Sequence, residues 1–402
     1  MGSVKRLRDK VYRIVYDVPS TIRKRKQKRE TLYNVTKSEA EETLAKRKEK
    51  AKHRQGLRNP DITVAELFGE FFEVKRRTLS ASGFERYEGM FRNYIGPAIG
   101  KARVSDLRPQ HLIDTYARWS AKGVSGKALS GRTVHHLHDL LRCALNFGVR
   151  REWITRNIAD CLETDDIPKA AKPEPMALNE AEMAALLNAA RHPSERAKRC
   201  GGPSAEPWFH PAVAFAIYTG ARRGEVLGLH WSDVDFESNS VTIRRSLTRT
   251  HSRGLFFKEP KNGKARTITM PATLATILKQ HREAQENERS ILGAGYKNDG
   301  LVFARPDEWL VNPRCFGNRV IELAVRAKIT PITAHCLRDT HASLLAKKGV
   351  PLEVVSKRLG HADIRITAER YLHVYRESDA AAARVLDTVP SFDSAPTALR
   401  SG

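Results

Sequence analysis

Short segments rich in arginine, lysine and histidine recur in the C-terminal half of the 402-residue chain. The first is TGARRGEVLGL, in which Gly220 can end one helix and allow the next to begin. This break places Arg222 in an opening turn, where unpaired backbone N–H groups favour anions. Surface arginines without such a role are common, so Arg222 is a candidate anion-binding residue and no more at this point.

The second segment, EPKNGKARTIT, carries a turn signal between two stretches that favour β-structure. Asn262-Gly263 is typical of a two-residue hairpin, because both turn positions need positive φ. The pattern predicts a hairpin with Lys261 at the end of a strand, from where its ammonium group could reach into a groove. An exposed hairpin lysine without a function is the alternative.

Two further segments, HCLRDTH and LGH, add an arginine and more histidines. His335 and Arg338 are three positions apart, so on a helix they share a face. Pro351 suits the first turn of the following helix and Gly360 its C-terminal end, which places His361 in the corner just beyond. Each of these residues, taken alone, is compatible with a structural role.

These segments form an ordered set together with Tyr371, which follows His361 in the chain. The sequence resembles the tyrosine recombinase (phage-type integrase) family, whose signature is a scattered Arg, Lys, His-x-x-Arg, His and a nucleophilic Tyr. The matching text is TGARRGEVLGLHWSDVD, EPKNGKARTITMP, HCLRDTHASLLAKKGV and LGHADIRITAERYLHVY. The resemblance implies a catalytic set composed of Arg222, Lys261, His335, Arg338, His361 and Tyr371.

The chemistry of phosphodiester transfer agrees with these residue types. Charge develops on the non-bridging oxygens, and the planar donors of Arg222 and Arg338 can clamp a phosphate. A tyrosine with a reference pKa of about 10 needs a base, for which His335 is the candidate, while His361 would hydrogen-bond a phosphate oxygen. The resemblance implies that Lys261 protonates the departing 5′ oxygen. The expected product is a 3′-phosphotyrosine, formed without ATP, metal or another cofactor.

Three neighbouring positions bear on this assignment. Asp339 stands where many members of the family have a histidine. Glu225 would orient an arginine or stabilise the fold, and the structural role is the preferred interpretation. Tyr375, one helical turn after Tyr371, is a rival nucleophile, but the spacing from His361 favours Tyr371.

The charge balance predicts a polyanionic partner. Seventy Lys and Arg against 46 Asp and Glu give a net charge of +24, and nucleic acid is the commonest partner for such a surface. Half of this excess lies in residues 1–60, which hold 19 Lys and Arg against 7 Asp and Glu. Candidate DNA-binding residues are Arg23, Lys24, Arg25, Lys26, Arg223 and Lys264. No apolar run approaches the roughly 20 residues that span a bilayer, and no signal-peptide core is present, so a cytoplasmic, nucleoid-associated protein of a bacterium is expected.

Hydrophobic periodicity predicts a mainly α fold with small β-sheets (α+β). Strand-like patterns at 11–16 and 31–35, followed by a helical stretch, indicate a sheet-plus-helix unit, and a capping box at Thr63–Glu66 opens a bundle of about four helices. With the resemblance, the predicted units are a basic arm-type DNA-binding domain (1–58), a helical, SAM-like core-binding domain (62–165), a linker (166–177), a catalytic tyrosine recombinase domain (178–387) and a flexible tail (388–402).

The remaining histidines and cysteines give no metal or disulfide pattern. His135, His136 and His138 lie in the predicted bundle, where they are expected to face DNA or solvent rather than a metal. The five cysteines are odd in number and lack CxxC spacing. They are therefore expected to be reduced, mostly buried thiols.

The resemblance also implies partners. It predicts double-stranded DNA attachment sites, a homo-tetramer on DNA, a Holliday-junction intermediate and an excisionase or DNA-bending protein as accessory factor, with no membrane. The added basic N-terminal unit favours an integrase of a prophage or integrative element. Two alternatives stay open: a type IB topoisomerase, which relaxes supercoils without pairing sites, and a non-catalytic DNA-binding regulator on the same scaffold.

Overall fold

A computed structural model describes most of the chain. The described residues are 2–18, 26–53, 59, 61–123, 126–170, 176–192, 207–260, 263–298, 300–305, 310–376 and 386–387. The chain divides into two compact units, Met1–Lys172 and Pro173–Gly402. Within the described ranges, every helix is too short or too polar to span a lipid bilayer.

The first unit begins with a three-stranded antiparallel sheet in the order β1-β2-β3, covered by one helix. Alternate residues of a strand share a face, so Ile14 and Tyr16 are buried together with Ala40 and Leu44 of the helix. The elements are β1 (Gly2–Arg8), β2 (Val11–Val18), β3 (Lys26–Tyr33) and α1 (Lys37–His53). The predicted sheet-plus-helix arrangement is confirmed, with β1 as a strand that the sequence patterns did not indicate.

A helical region with its own core follows. Thr63 caps its first helix through the predicted capping box with Glu66, and the apolar stripe that includes Phe68 and Phe71 is buried. The helices are α2 (Val64–Thr78), α3 (Ala81–Met90), α4 (Gly96–Ile99), α5 (Pro109–Ala121) and α6 (Gly131–Arg150). A π-helical turn at Phe91–Ile95 joins α3 to α4.

The expectations for His138 and for the burial of the cysteines were wrong. His138 is buried, and its Nδ1 lies 3.1 Å from the hydroxyl of Tyr116, because α6 turns it toward the core beside Leu137. Among the described cysteines, Cys336 is buried, whereas the other three are exposed, so the thiols are not mostly buried.

The second unit is mainly helical around one large core. Almost every side chain of its central helix, α8, is buried, which its apolar sequence FHPAVAFAIYT requires. The helices are α7 (Glu180–Arg191), α8 (Phe209–Thr219), α9 (Arg223–Leu227), α10 (Ala272–Leu292), α11 (Pro313–Arg326), α12 (Ala334–Lys347), α13 (Leu352–Leu359) and α14 (Ile364–Arg376).

Small antiparallel sheets lie beside these helices. They contain β4 (Val234–Asp235), β5 (Ser240–Ile243), β6 (Ser246–Thr250), β7 (Gly254–Lys258) and β8 (Arg266–Thr269), paired as β4-β5-β8 and β6-β7. The predicted hairpin at Asn262-Gly263 was wrong, because the strands on either side of it pair elsewhere. β7 pairs with β6, and β8 pairs with β5, where Ile268 lies opposite Val241 and both side chains are buried in the core.

Candidate active site

One pocket in the second unit collects side chains from four separate stretches of the chain. Its volume is about 290 Å³. It is lined by Arg222, His335, Arg338, Asp339, His361, Ala362, Ile366, Arg370 and Tyr371. Five of the six predicted catalytic residues therefore lie together, and the sixth, Lys261, lies outside the described residues.

Arg222 is held at the start of α9 by a tight break between helices. Gly220 has a φ of 65°, and a Cβ there would come within 2.7 Å of His341 Cδ2, so the turn requires glycine. The Arg222 backbone N–H donates to Glu225 Oε2 (2.8 Å) and Nη1 donates to Oε1 (3.0 Å), while Nη2 donates to Gly360 O (3.4 Å). Glu225 therefore accepts the hydrogen bond of the Arg222 backbone N–H that was expected to favour an anion. The guanidinium of Arg222 is the group that remains to bind a phosphate.

Glu225 is buried and binds a second arginine that the sequence analysis missed. Arg266 donates from Nη2 to Oε2 (2.6 Å) and from Nη1 to Oε1 (3.2 Å), and its Nε donates to Arg358 O (2.9 Å). Burial alone would raise the pKa of Glu225, but hydrogen bonds and charge from Arg266 and Arg222 lower it overall. Glu225 therefore both stabilises the fold and orients Arg222. The available signal was strand periodicity, which puts Arg266 on the same face as the buried Ile268.

Arg338 ties three chain segments together from a position that is 2% exposed. Its Nη1 donates to Gly220 O (2.7 Å), and its Nη2 donates to Leu359 O (2.7 Å) and to His361 Nε2 (2.9 Å). Burial, and then the charge of Arg222, lower the pKa of the Arg338 guanidinium to about 9, which leaves it positively charged at neutral pH. The guanidinium carries five N–H donors, so these three bonds leave donors for a phosphate.

The hydrogen bonds of His361 fix its tautomer. An arginine can only donate, so Nε2 of His361 accepts from Arg338, and Nδ1 carries the proton that it donates to Thr367 Oγ1 at 2.7 Å. Burial, followed by the charges of Arg338 and Arg222, lowers the pKa of His361 to about 4, so the ring is neutral. The predicted donation from His361 to a phosphate oxygen would require this ring to gain a proton or leave Arg338.

His335 lies in the first turn of α12 and is partly exposed at the pocket. Partial burial lowers the pKa of its imidazole, Asp339 opposes this, and the charges of Arg370, Arg338 and Arg222 lower it further. The ring is therefore neutral near pH 7 and has a nitrogen lone pair that can accept a proton. This protonation state is the one that a general base needs.

Tyr371 is 1% exposed in this arrangement, and its hydroxyl donates to Asp339 Oδ1 at 2.6 Å. Burial, followed by the hydrogen bond and charge of Asp339, raises the pKa of Tyr371. Arg370 Nη2 donates to the other carboxylate oxygen of Asp339 at 2.8 Å. The hydroxyl thus contacts a carboxylate at the position where the resemblance has a histidine, rather than the predicted base, His335.

The other candidate residues are not among those that line this pocket, or they lie outside the described residues. Arg223 and Lys264 are exposed, and neither is among the residues that line the pocket. Residues 23–25 lie outside the described residues, and Lys26 is the first residue of β3. Tyr375, the rival nucleophile, lies one turn beyond Tyr371 in α14.

In this mainly helical unit, the pocket that joins two arginines to a tyrosine can hold a phosphate beside a phenolic nucleophile. Sequence comparison gives the family. The phage integrase family matches residues 177–378, and the SAM-like N-terminal domain of phage integrases matches residues 63–120. The first match covers half of the chain, which therefore belongs to the phage integrase family of tyrosine recombinases.

Individual relatives agree with this assignment. The chain is 28% identical over 380 residues to a XerC-like tyrosine recombinase of Caldanaerobacter subterraneus subsp. tengcongensis, covering 89% of this chain and 91% of the relative. It is 27% identical over 338 residues to an integrase of Streptomyces ambofaciens, covering 81% and 80%. The Tn1549 transposon integrase in complex with transposon right end DNA is similar in structure, with a TM-score of 0.67, 19% identity, and coverage of 81% of this chain and 100% of that chain. This likeness confirms the predicted mainly α fold with small sheets.

Proposed function

We propose that this tyrosine recombinase integrates and excises a mobile element by site-specific strand exchange. The observation that carries the proposal is the single pocket that joins Arg222 and Arg338 to Tyr371. These residues are far apart in the sequence, and a structural role for each would not require them to meet. Two guanidinium groups beside a tyrosine suit a phosphodiester that is attacked by a phenolic oxygen.

The proposed reaction assigns one task to each group. Arg222 and Arg338 bind the scissile phosphate, and Tyr371 Oη attacks phosphorus as its proton passes to the neutral ring of His335. The bond from phosphorus to the 5′ oxygen breaks, and Lys261 supplies the proton that this oxygen takes up. The resulting 3′-phosphotyrosine conserves the energy of the phosphodiester, so rejoining needs no ATP.

His361 acts on the phosphate indirectly in this proposal. Its Nε2 already accepts from Nη2 of Arg338, so the neutral ring holds the guanidinium in place before DNA binds and leaves the N–H groups of Nε and Nη1 for the phosphate. Thr367, which is fully buried, fixes the ring in turn. Preorganised donors of this kind stabilise developing charge without reorganisation during the reaction.

The domain assignment is also a proposal. The basic unit at 1–58 would bind arm-type DNA sites, the helical region at 62–165 would bind core sites, and a linker at 166–177 would lead to the catalytic domain at 178–387. The net charge of residues 1–60 supports a DNA contact there, and the lambda integrase, which has a TM-score of 0.56 to this chain, forms a dimer bound to a core site. Phosphate contacts would dominate affinity and make it salt-dependent.

Strand exchange would involve double-stranded attachment sites and four protomers, with a Holliday junction between the two rounds of cleavage. An excisionase or a DNA-bending protein would set the direction. An active tetramer explains how two duplexes are cut and rejoined in a pairwise order, and analytical ultracentrifugation of the protein on paired sites tests it. A protein that stays monomeric on paired sites would contradict this assembly.

A suicide DNA substrate tests the proposed chemistry. The substrate carries the end junction of the element and a nick near the crossover, so a cleaved strand diffuses away and the covalent complex accumulates. We expect a DNA adduct on denaturing gels with the wild type and with the control Tyr375→Phe, in buffer with EDTA, and none with Tyr371→Phe. Tight DNA binding with no adduct would favour a non-catalytic regulator, and relaxation of plasmids without any attachment site would favour a topoisomerase.

A further inference from the structure

A buried carboxylate contacts the oxygen that is proposed to attack DNA. Tyr371 Oη donates to Asp339 Oδ1 at 2.6 Å, which is a short, charge-assisted hydrogen bond. Tyr371 and Asp339 are 1% and 2% exposed, so water does not compete for this bond. The contact links α14 to α12 and leaves the hydroxyl already engaged before any DNA arrives.

The residue before Tyr371 binds the same carboxylate. Arg370 Nη2 donates to Asp339 Oδ2 at 2.8 Å, so both oxygens of Asp339 hold consecutive residues of α14. Arg370 Nε is buried and has no hydrogen-bond partner among the described residues. Part of the donor capacity of this arginine is therefore unused here, as expected of an arrangement that changes when a ligand enters.

The carboxylate makes Tyr371 a poorer nucleophile. A negative charge within hydrogen-bond distance disfavours the phenolate, and the pKa of Tyr371 is raised by burial and by Asp339. The charged and titratable groups around the hydroxyl are Asp339, Arg338 and His335 on α12, Arg370 on α14, His361 after α13 and Arg222 before α9. Asp339 is the group among them that contacts the hydroxyl directly and opposes its ionisation.

Asp339 is also a poor proton acceptor for a tyrosine. A carboxylate is, as a chemical class, a far weaker base than a phenolate, so transfer of the phenolic proton to this side chain is strongly unfavourable. The neutral imidazole of His335 is closer to tyrosine in basicity and lines the same pocket. A role as general base therefore explains the contact less well than a role in restraint.

We propose that Asp339 restrains the nucleophile: it keeps Tyr371 protonated and engaged, and strand cleavage begins only when the hydroxyl leaves Asp339 for the DNA phosphate. This inference rests on the proposed function of Tyr371. On release, the phenolic proton passes to His335, the oxygen bonds to phosphorus, and the 5′ oxygen leaves with a proton from Lys261. Asp339 would thus keep the hydroxyl un-ionised in protomers whose pocket holds no phosphate, and would delay cleavage in protomers that have bound one until the hydroxyl is released.

The variant Asp339→Asn separates restraint from catalysis. The amide has the same shape, and its oxygen can still accept the hydroxyl, but the negative charge is gone. We expect adduct formation on the suicide substrate to become faster near pH 7, by about tenfold for each pH unit that the ionisation of Tyr371 moves down. The limb of the pH profile that reports this ionisation should move to lower pH. Asp363→Asn is the matched control, since Asp363 is exposed and caps α14 through an acceptor that asparagine retains.

A second measurement, made without DNA, gives a result that does not depend on the choice of DNA substrate. 3-Fluorotyrosine is placed at position 371, and its ionisation is followed by 19F NMR against pH in the otherwise native chain and in Asp339→Asn. We expect the fluorotyrosine to ionise at lower pH in Asp339→Asn and to be unchanged in Asp363→Asn. If the wild type forms no adduct but the 19F titrations of the native chain and Asp339→Asn still differ, the proposed function is wrong. The effect of Asp339 on the ionisation of Tyr371 would then still stand.

Two outcomes would overturn the restraint. A folded Asp339→Asn protein that binds DNA but forms no adduct at any pH would identify Asp339 as an essential catalytic group. An unchanged pH profile together with an unchanged 19F titration would show that the contact has no bearing on the nucleophile. If Asp339→Asn does not fold, the same NMR comparison can be made with Arg370→Gln, which removes the positive charge beside Asp339. The fluorotyrosine is then expected to ionise at higher pH. Ionisation at unchanged or lower pH would count against the restraint.

Discussion

Removing the charge of Glu225 should destabilise the second unit strongly. The side chain is 1% exposed and accepts hydrogen bonds from the guanidinium groups of Arg222 and Arg266, which are 27% and 10% exposed. In Glu225→Gln both arginines face a neutral amide whose NH₂ group repels one of them. Breaking a buried ion pair costs about 3–5 kcal/mol, and because Arg222 retains some contact with water we expect about 3 kcal/mol.

The loss can be measured locally by hydrogen exchange with mass spectrometry of the full-length protein. Amides in peptides that span α8 and α9 should exchange roughly 150-fold faster at pH 7, which is the equivalent of about 3 kcal/mol. The matched control is Glu286→Gln, which breaks the exposed pair with Arg282 on α10 and should change exchange in that helix less than about twofold. Equal protection in Glu225→Gln and the wild type would refute the inferred role of this carboxylate.

The pH dependence of this difference has a definite sign. The pKa of Glu225 is lowered in the folded chain below its ordinary value of 4.5. The stabilising contribution is therefore complete above that value and is lost as the pH falls through the lower, folded value. Urea unfolding followed by pulsed exchange should show the full difference between wild type and Glu225→Gln at pH 7 and a shrinking one below about pH 4. A difference that grows on acidification would contradict the sign.

Further predictions concern other contacts. Gly360→Ala should reduce adduct formation at least tenfold in the suicide-substrate assay without abolishing DNA binding, because Gly360 has a φ of 66° and a Cβ there would lie 2.9 Å from Arg266 Cδ. Tyr116→Phe should lower the free energy of unfolding of the first unit by about 1–3 kcal/mol in thermal unfolding, since it leaves the buried His138 nitrogen without its partner. Adduct formation by the wild type should persist below pH 6.5, because the lowered pKa of His335 keeps its base form present there, and a loss already above pH 6.5 would contradict this.

Local chemistry explains why several features could be predicted from the sequence. The capping box at Thr63 and the left-handed helix ends at Gly220 and Gly360 depend on a few neighbouring residues. The pocket residues could be placed in order because the resemblance supplied their spacing. The pocket residues come together because the end of α8, the start of α9 and the end of α13 meet at Arg338 of α12.

Features that depend on distant partners could not be predicted in the same way. The pairing of β8 with β5 places Ile268 in the core opposite Val241, and a local turn signal at Asn262-Gly263 contains no information about that distant strand. Arg266 meets Glu225 across 41 residues, and Tyr371 meets Asp339 across 32. Strand periodicity places Arg266 on the buried face of β8, but no local pattern identifies Glu225 or Asp339 as a partner, because only the folded chain brings these pairs together.

The most direct test of the proposed chemistry is to locate the nucleotide on the trapped protein. After nuclease treatment of the covalent complex, trypsin should cut behind Arg370 and Arg376 and release YLHVYR, which contains both Tyr371 and Tyr375. Fragment ions from tandem mass spectrometry then distinguish the two tyrosines. We expect a nucleotide linked through its 3′ phosphate to Tyr371, whereas a nucleotide on Tyr375, or on neither tyrosine, would contradict the role of Tyr371 as the nucleophile.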